Sequence, residues 1–149
     1  MRYVTNLLND LQAKPANLTT SSKYTELNGI IYFVAGALLV VWPGVTQVLF
    51  MERAFVGDEQ ALMRVIGLAL GLVGWLLFFG GRSGGEQVAA ATVIDRLIFV
   101  PLVLVPIVIS GVFPRLFLAV VLLDVSLAIG AWVIISRRTP SNARHTSPV

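Results

Sequence analysis

Four long runs of apolar residues occupy most of this 149-residue chain. They cover residues 27–50, 61–80, 88–111 and 113–136. Each run reaches the length of about 20 apolar residues that lets an α-helix, rising 1.5 Å per residue, cross the hydrocarbon core of a bilayer. The pattern therefore predicts an all-α, polytopic membrane protein whose four transmembrane helices form a bundle.

The composition indicates that lipid, more than water, is the solvent of the folded chain. Hydrophobic residues make up 56% of the sequence and charged residues 13%, whereas soluble domains carry about 25% charged residues. The length allows one domain. We therefore expect a bundle over residues 27–136, an N-terminal segment and linker over residues 1–26, and a polar tail over residues 137–149.

Apolar residues recur at helical spacing in the N-terminal segment, at Tyr3, Val4, Leu7, Leu8 and Leu11. This spacing predicts an amphipathic helix that ends at Pro15 and lies in the plane of the lipid headgroups. A docking helix for a partner protein is the alternative. The segment has no continuous apolar h-region, so we expect no cleavable signal peptide.

Lysine and arginine residues concentrate on one side of the predicted bundle. With four spans, the N-terminal segment, the turn at residues 81–87 and the tail share a side, which holds Arg2, Lys14, Lys23, Arg82, Arg137, Arg138 and Arg144. The loops on the other side hold Arg53 and Arg115. Cytoplasmic loops carry an excess of lysine and arginine. We therefore expect both termini in the cytoplasm, with the bundle in a bacterial inner membrane.

Four ionisable residues interrupt the apolar runs: Arg64, Asp95, Arg96 and Asp124. Each costs about 2.5–3.5 kcal/mol at a helix centre, so each is expected to face the bundle and find a partner. Depth counted along the antiparallel third and fourth spans separates Arg96 from Asp124 by only about 6 Å, so a pair between them is geometrically possible. We interpret the four residues as a charge-balanced set that fixes helix register. A proton or ion relay is the alternative.

Three glycines in the second span, Gly67, Gly71 and Gly74, include a G-x-x-x-G spacing. Small residues at this period let two helices approach closely. We expect the glycines to pack against another helix of the same chain. Contact with a second subunit is the alternative.

Several kinds of chemistry lack the residues they need. The chain has no cysteine, and its one histidine, His145, lies outside the apolar runs, so thiolate ligation and imidazole ligation within the bundle are excluded. No P-loop, metalloprotease or hydrolase motif is present. We therefore expect no enzymatic activity, catalytic residue, metal, cofactor or nucleic-acid partner. An enzyme acting on lipid or quinone would depend on Asp95.

Short phrases in all four spans carry a family resemblance: Leu27-Asn28-Gly29 with Gly36, Arg64-Val65-Ile66-Gly67 with Gly71, Asp95-Arg96, and Asp124. Over residues 27–137 the chain resembles the small four-helix bacterial membrane proteins of the DoxX-like superfamily. The resemblance implies a four-helix bundle without specifying an activity. Some relatives are linked to quinone or thiol redox complexes, an idea that the absence of cysteine does not favour.

These features together predict a non-catalytic integral membrane protein, an accessory or structural subunit of a larger membrane complex. Its expected partners are the lipid bilayer and other proteins of that complex, and contact with lipid or quinone remains open. The alternative is a small proton- or solute-coupled transporter that uses the intramembrane arginine and aspartate residues.

Overall fold

A computed structural model describes residues 18–83 and 86–137 of the chain. In these ranges the chain is helical and contains no strand. The helices are α1 (Thr20–Val41), α2 (Val45–Phe50), α3 (Glu59–Arg82), α4 (Glu86–Ile94), a π-helical segment (Asp95–Phe99), α5 (Val100–Ile109) and α6 (Pro114–Ser136). The predicted amphipathic helix before Pro15 and the tail beyond Arg137 lie outside the described residues.

Four of the helical stretches are long and apolar enough to cross a membrane. They are Thr20–Val41, Glu59–Arg82, Gln87–Ile109 and Pro114–Ser136. The predicted fold class, an all-helical membrane chain with four apolar spans, is confirmed to this extent. We call the side with the starts of α1 and α4 and the ends of α3 and α6 the terminal side, and the opposite side the loop side.

The first span starts earlier than its apolar run and ends before the run does. The helix begins at Thr20, where the Thr19 hydroxyl accepts a hydrogen bond from the Ser22 amide at 3.3 Å. In the following turn the Thr25 hydroxyl donates to the Ser21 carbonyl at 3.0 Å, so this buried polar group is satisfied within the helix. Pro43 stops the helix because it has no amide hydrogen to donate, and the rest of the run forms the separate helix α2.

The third span contains a π-helical turn in place of a continuous α-helix. The Val100 amide donates to the carbonyl of Asp95, five residues earlier. Pro101 follows immediately and cannot donate to a carbonyl in the preceding turn. Widening the turn accommodates the proline ring, and π-helical turns of this kind occur often at functional sites.

Helices α1 and α3 form the most extensive contact within the bundle, and glycines allow their close approach. A Cβ atom built on Gly36 would lie less than 3.0 Å from backbone atoms of Gly67 and Gly71. Gly74 approaches the backbone of Phe33 equally closely, whereas a Cβ on Gly71 would meet nothing within 4 Å. The structure therefore places Gly67 and Gly74 in a helix crossing within the chain, and Gly71 contributes backbone only.

Candidate functional site

The structure separates the four intramembrane charged residues into two groups. The side chains of Arg64 and Asp95 are exposed on the outer surface of the bundle. Arg96 and Asp124 are buried inside it, each only 4% exposed. Two of the four residues therefore face the interior, and they belong to the third and fourth spans.

Arg96 points from the π-helical segment towards α1. Its guanidinium carbon lies 4.7 Å from the centroid of the Tyr32 ring, a distance typical of a cation–π contact. Its Nη2 atom is buried and has no hydrogen-bond partner among the described residues. The aromatic face therefore serves as the main partner of this cation inside the bundle.

Asp124 is placed at the middle of α6 without a charged partner. Its Oδ1 atom is buried and accepts no hydrogen bond in the described part of the chain. The ion pair that joins two described residues, Arg53–Glu59, lies on the loop side and does not involve Asp124. The Arg96–Asp124 pair that depth counting allows is therefore not formed, and Arg96 is directed to Tyr32 instead.

Two further polar residues of α1, neither of them predicted as a site residue, face the interior. Asn28 is 3% exposed and Tyr32 is 7% exposed, and each has a buried oxygen without a hydrogen-bond partner in the described ranges. Tyr24 lies on the same face and donates from its hydroxyl to the Leu127 carbonyl at 3.1 Å. Polar residues at i, i+4 and i+8 of an apolar span were the signal that could have found this face.

We refer to Asn28, Tyr32, Arg96 and Asp124 as the interior polar cluster. An unpartnered polar atom buried in a bundle is costly, so such atoms call for an explanation. Three elements supply the cluster: α1, the π-helical segment and α6. The cluster thus lies where the third and fourth spans meet the first.

A cavity of about 230 Å³ extends from the interior polar cluster towards the loop side. It lies between α1, α2 and α6, with Leu70 of α3 at one wall. Its polar lining comes from Tyr32, Thr46 and Asp124, and the other lining residues are apolar. The Thr46 hydroxyl already donates to the Pro43 carbonyl at 3.0 Å. Tyr32 and Asp124 also line the cavity, but the Tyr32 hydroxyl oxygen and Asp124 Oδ1 have almost no accessible surface, so the cavity wall is essentially apolar.

The loop side closes over the start of α6. One carboxylate oxygen of Glu52 accepts hydrogen bonds from the backbone amides of Arg115, at 2.6 Å, and Leu116, at 2.9 Å. The Arg115 guanidinium donates to the Met51 carbonyl at 2.7 Å. The Arg53 guanidinium stacks on the Phe113 ring with its central carbon 4.9 Å from the centroid. These contacts fix the loop-side wall of the bundle.

Comparisons of the chain with protein-family models, curated proteins and solved structures gave no match. The resemblance to the DoxX-like superfamily consequently remains a hypothesis that depends on the short phrases in the four spans.

Proposed function

We propose that the chain is a non-catalytic accessory subunit of a larger membrane complex, and that its third span contacts a partner. The observation that carries the proposal is the exposed carboxylate of Asp95. This residue lies eight positions after Gln87, the start of the span, or about 12 Å along the helix. Its side chain makes no hydrogen bond or ion pair with the described residues, its electrostatic neighbour being Arg96.

Among the four spans, the third is also the one that the described residues cover least. Only 6% of its apolar window is buried inside the bundle, against 28% for the first span. Around Asp95, at spacings of three, four and seven residues, Ile98, Phe99 and Leu102 are between 55% and 68% exposed. A face that combines these side chains with one carboxylate is suited to packing against another transmembrane helix.

Charge complementarity specifies the chemistry of that helix. A charged residue at membrane depth costs about 2.5–3.5 kcal/mol when it faces lipid and is retained where it has a partner. A transmembrane helix with a lysine or arginine at the depth of Asp95 would supply that partner. We therefore propose a cationic partner helix packed along Ile98 and Leu102.

The test is photocrosslinking from position 98 in native membranes, followed by mass-spectrometric identification of the crosslinked polypeptide. We expect one predominant product, from a protein with a lysine or arginine inside a transmembrane helix. Asp95→Asn should reduce the yield at least tenfold, whereas Arg64→Gln, which changes an exposed charge on α3, should not. Crosslinks to lipid alone, or equal yields from both variants, would refute the proposal.

We further propose a bacterial inner-membrane location with both termini in the cytoplasm, together with membership of the DoxX-like superfamily. The distribution of lysine and arginine supports the orientation. Because the chain has no cysteine, the labelling of a single introduced cysteine shows on which side of the membrane that position lies. Ala54→Cys should react with a membrane-impermeant maleimide in intact spheroplasts, and Ser83→Cys only after permeabilisation. The reverse result would overturn the orientation.

A proton- or solute-coupled transporter is a second candidate, favoured by the burial of Arg96 and Asp124 without polar partners. Arg64 and Asp95 lie outside the bundle and would not line a path through it. Proteoliposomes containing the chain should then show proton flux above empty liposomes, and Asp124→Asn should abolish it. Flux that is absent, or equal in wild type and variant, removes this candidate.

A further inference from the structure

We infer that the outer face of α1 and α3 binds one anionic phospholipid from the leaflet on the terminal side, with its phosphate between Lys23 and Arg82. The inference is independent of the accessory role, because it concerns the lipid-facing side of α1 and α3 and not the exposed face of the third span. It depends on two cations, supplied by different helices, at one end of an apolar groove.

The glycine crossing places Lys23 and Arg82 at the same level on neighbouring helices. A Cβ atom built on Gly81 would lie less than 3.0 Å from backbone atoms of Ser22 and Glu26, so Arg82 is level with the residues between those two. Lys23 is the fourth residue of α1, and Arg82 is the last of α3. Because the 24 residues of α3 rise about 35 Å, more than the hydrocarbon thickness of about 30 Å, both cations lie at headgroup depth.

Both cations are available to a ligand. The Lys23 side chain is exposed and that of Arg82 is half-buried, and neither forms an ion pair or hydrogen bond with another residue in the ranges 18–83 and 86–137. The guanidinium carbon of Arg82 lies 5.4 Å from the centroid of the Phe78 ring. Stacking occupies the face of the guanidinium and leaves its edge to donate hydrogen bonds. Since Nε is buried, the two terminal nitrogens are the donors that a phosphate can reach.

An apolar groove leads from these cations towards the middle of the membrane. It has a volume of about 240 Å³ and is lined by Gly29, Ile30, Phe33, Trp75 and Phe78. Lys23 precedes Ile30 by seven residues, or about two turns, and therefore lies on the same face of α1. Arg82 follows Trp75 by the same interval on α3. A lipid whose phosphate binds both cations therefore has an acyl chain directed along the groove.

The length of the groove suits a chain of one leaflet. The rings of Phe33 and Trp75, with centroids 6.3 Å apart, separate it from a second apolar cavity nearer the loop side. Trp75 lies about 10 Å from Arg82 along α3, and the hydrocarbon of one leaflet is about 15 Å thick, half of the whole core. An acyl chain of the terminal-side leaflet would therefore contact the groove over most of its length.

The charge balance at the headgroup end favours an anionic lipid over a zwitterionic one. Glu26 lies about one turn after Lys23 and is half-buried, so the two cations and this carboxylate leave a net charge of +1. The phosphate of phosphatidylglycerol balances that charge, whereas the choline group of phosphatidylcholine brings a further cation. Basic pockets between transmembrane helices bind anionic headgroups in this way.

The test is native mass spectrometry of the full chain in a mild detergent, titrated with dioleoylphosphatidylglycerol or dioleoylphosphatidylcholine. The two lipids have the same acyl chains and differ in headgroup charge. We expect the first phosphatidylglycerol to bind at least fivefold more tightly than the first phosphatidylcholine. Glycerol phosphate, which has the charge without the chains, should bind more weakly than either lipid. Equal affinities for the two lipids, or binding of glycerol phosphate as tight as that of phosphatidylglycerol, would overturn the inference.

Two pairs of variants locate the site. Lys23→Gln combined with Arg82→Gln should reduce the preference for phosphatidylglycerol to less than twofold. Arg64→Gln, which removes an exposed arginine eighteen residues earlier on the same face of α3, should leave the preference unchanged. Ile30→Trp fills the groove and should weaken phosphatidylglycerol binding at least threefold, whereas Leu76→Trp, at an exposed position outside the groove, should not. Ile30→Trp decides the question if the double variant fails to fold, and unchanged binding in either would refute the site.

Discussion

The guanidinium carbon of Arg96 lies 4.7 Å from the centre of the Tyr32 ring, inside the bundle. The contact joins the π-helical segment of the third span to α1. It uses the aromatic face of the tyrosine, because the Tyr32 hydroxyl has no hydrogen-bond partner in the described residues. Ring and hydroxyl should therefore contribute differently to stability.

Substitutions of Tyr32 separate the two contributions. Tyr32→Phe keeps the ring and removes an unpartnered hydroxyl, so the free energy of unfolding should stay within about 1 kcal/mol of wild type or rise. Tyr32→Leu removes the cation–π contact and should lower it by about 1–2 kcal/mol or more. Reversible unfolding in mixed micelles, followed by circular dichroism, measures both. Equal losses from the two variants would show that the ring is not the partner of Arg96.

A matched control for the hydroxyl lies about two turns earlier on the same helix. Tyr24 donates from its hydroxyl to the Leu127 carbonyl at 3.1 Å. Tyr24→Phe removes that hydrogen bond and should cost about 0.5–1.5 kcal/mol. Tyr24→Phe should therefore be more destabilising than Tyr32→Phe, although the two chemical changes are identical.

A second prediction concerns the glycine crossing between α1 and α3. It compares the same glycine-to-alanine substitution at two positions. Gly36→Ala places a methyl group less than 3.0 Å from the backbone of Gly67 and Gly71, so the helices must separate. We expect a loss of about 1–3 kcal/mol in the free energy of unfolding, the range found for overpacked cores. Gly71→Ala meets nothing within 4 Å and should be neutral or gain about 0.5–1 kcal/mol from helix propensity.

The same unfolding measurement compares the two variants. If Gly71→Ala destabilised the bundle as much as Gly36→Ala, the crossing would have a different register from the one described.

The number and type of the spans could be predicted from sequence because apolar length is a local property. The residues at which the spans begin and end were predicted less accurately. Thr20 starts α1 seven residues before its apolar run, because Ser22 and Thr25 are buried in this turn despite their polarity. Pro43 divides the same run into two helices, since the proline removes a backbone donor.

The direction in which each charged residue points around its helix could not be predicted from the apolar runs. Depth counting gives the position of Arg96 and Asp124 along the membrane normal but not their direction around the helix. Nearly every residue of the third span is apolar, so no polar stripe marks its outer face, and the π-helical turn changes the rotation of Asp95 and Arg96. Tertiary contacts therefore decide that Arg96 is buried and Asp95 exposed.

A third prediction concerns Glu52, which caps α6 from a loop more than 60 residues earlier in the chain. Phe113, at the cap position, has a left-handed backbone with φ of 41° and provides no side-chain cap. The missing cap is supplied by the carboxylate of Glu52, which accepts hydrogen bonds from the amides of Arg115 and Leu116 at the positive end of the helix dipole. Glu52→Ala should therefore lower the free energy of unfolding by about 1–2 kcal/mol.

Two comparisons test whether capping is the cause of that loss. Glu52→Gln keeps an oxygen acceptor but removes the charge, so it should cost less than Glu52→Ala, and added salt should narrow the gap between Glu52→Gln and wild type. Asp58, at the cap position of α3, makes no side-chain cap bond, and Asp58→Ala should change stability by less than about 0.5 kcal/mol. If Glu52→Ala and Asp58→Ala had equal effects, the carboxylate of Glu52 would not be the cap of α6.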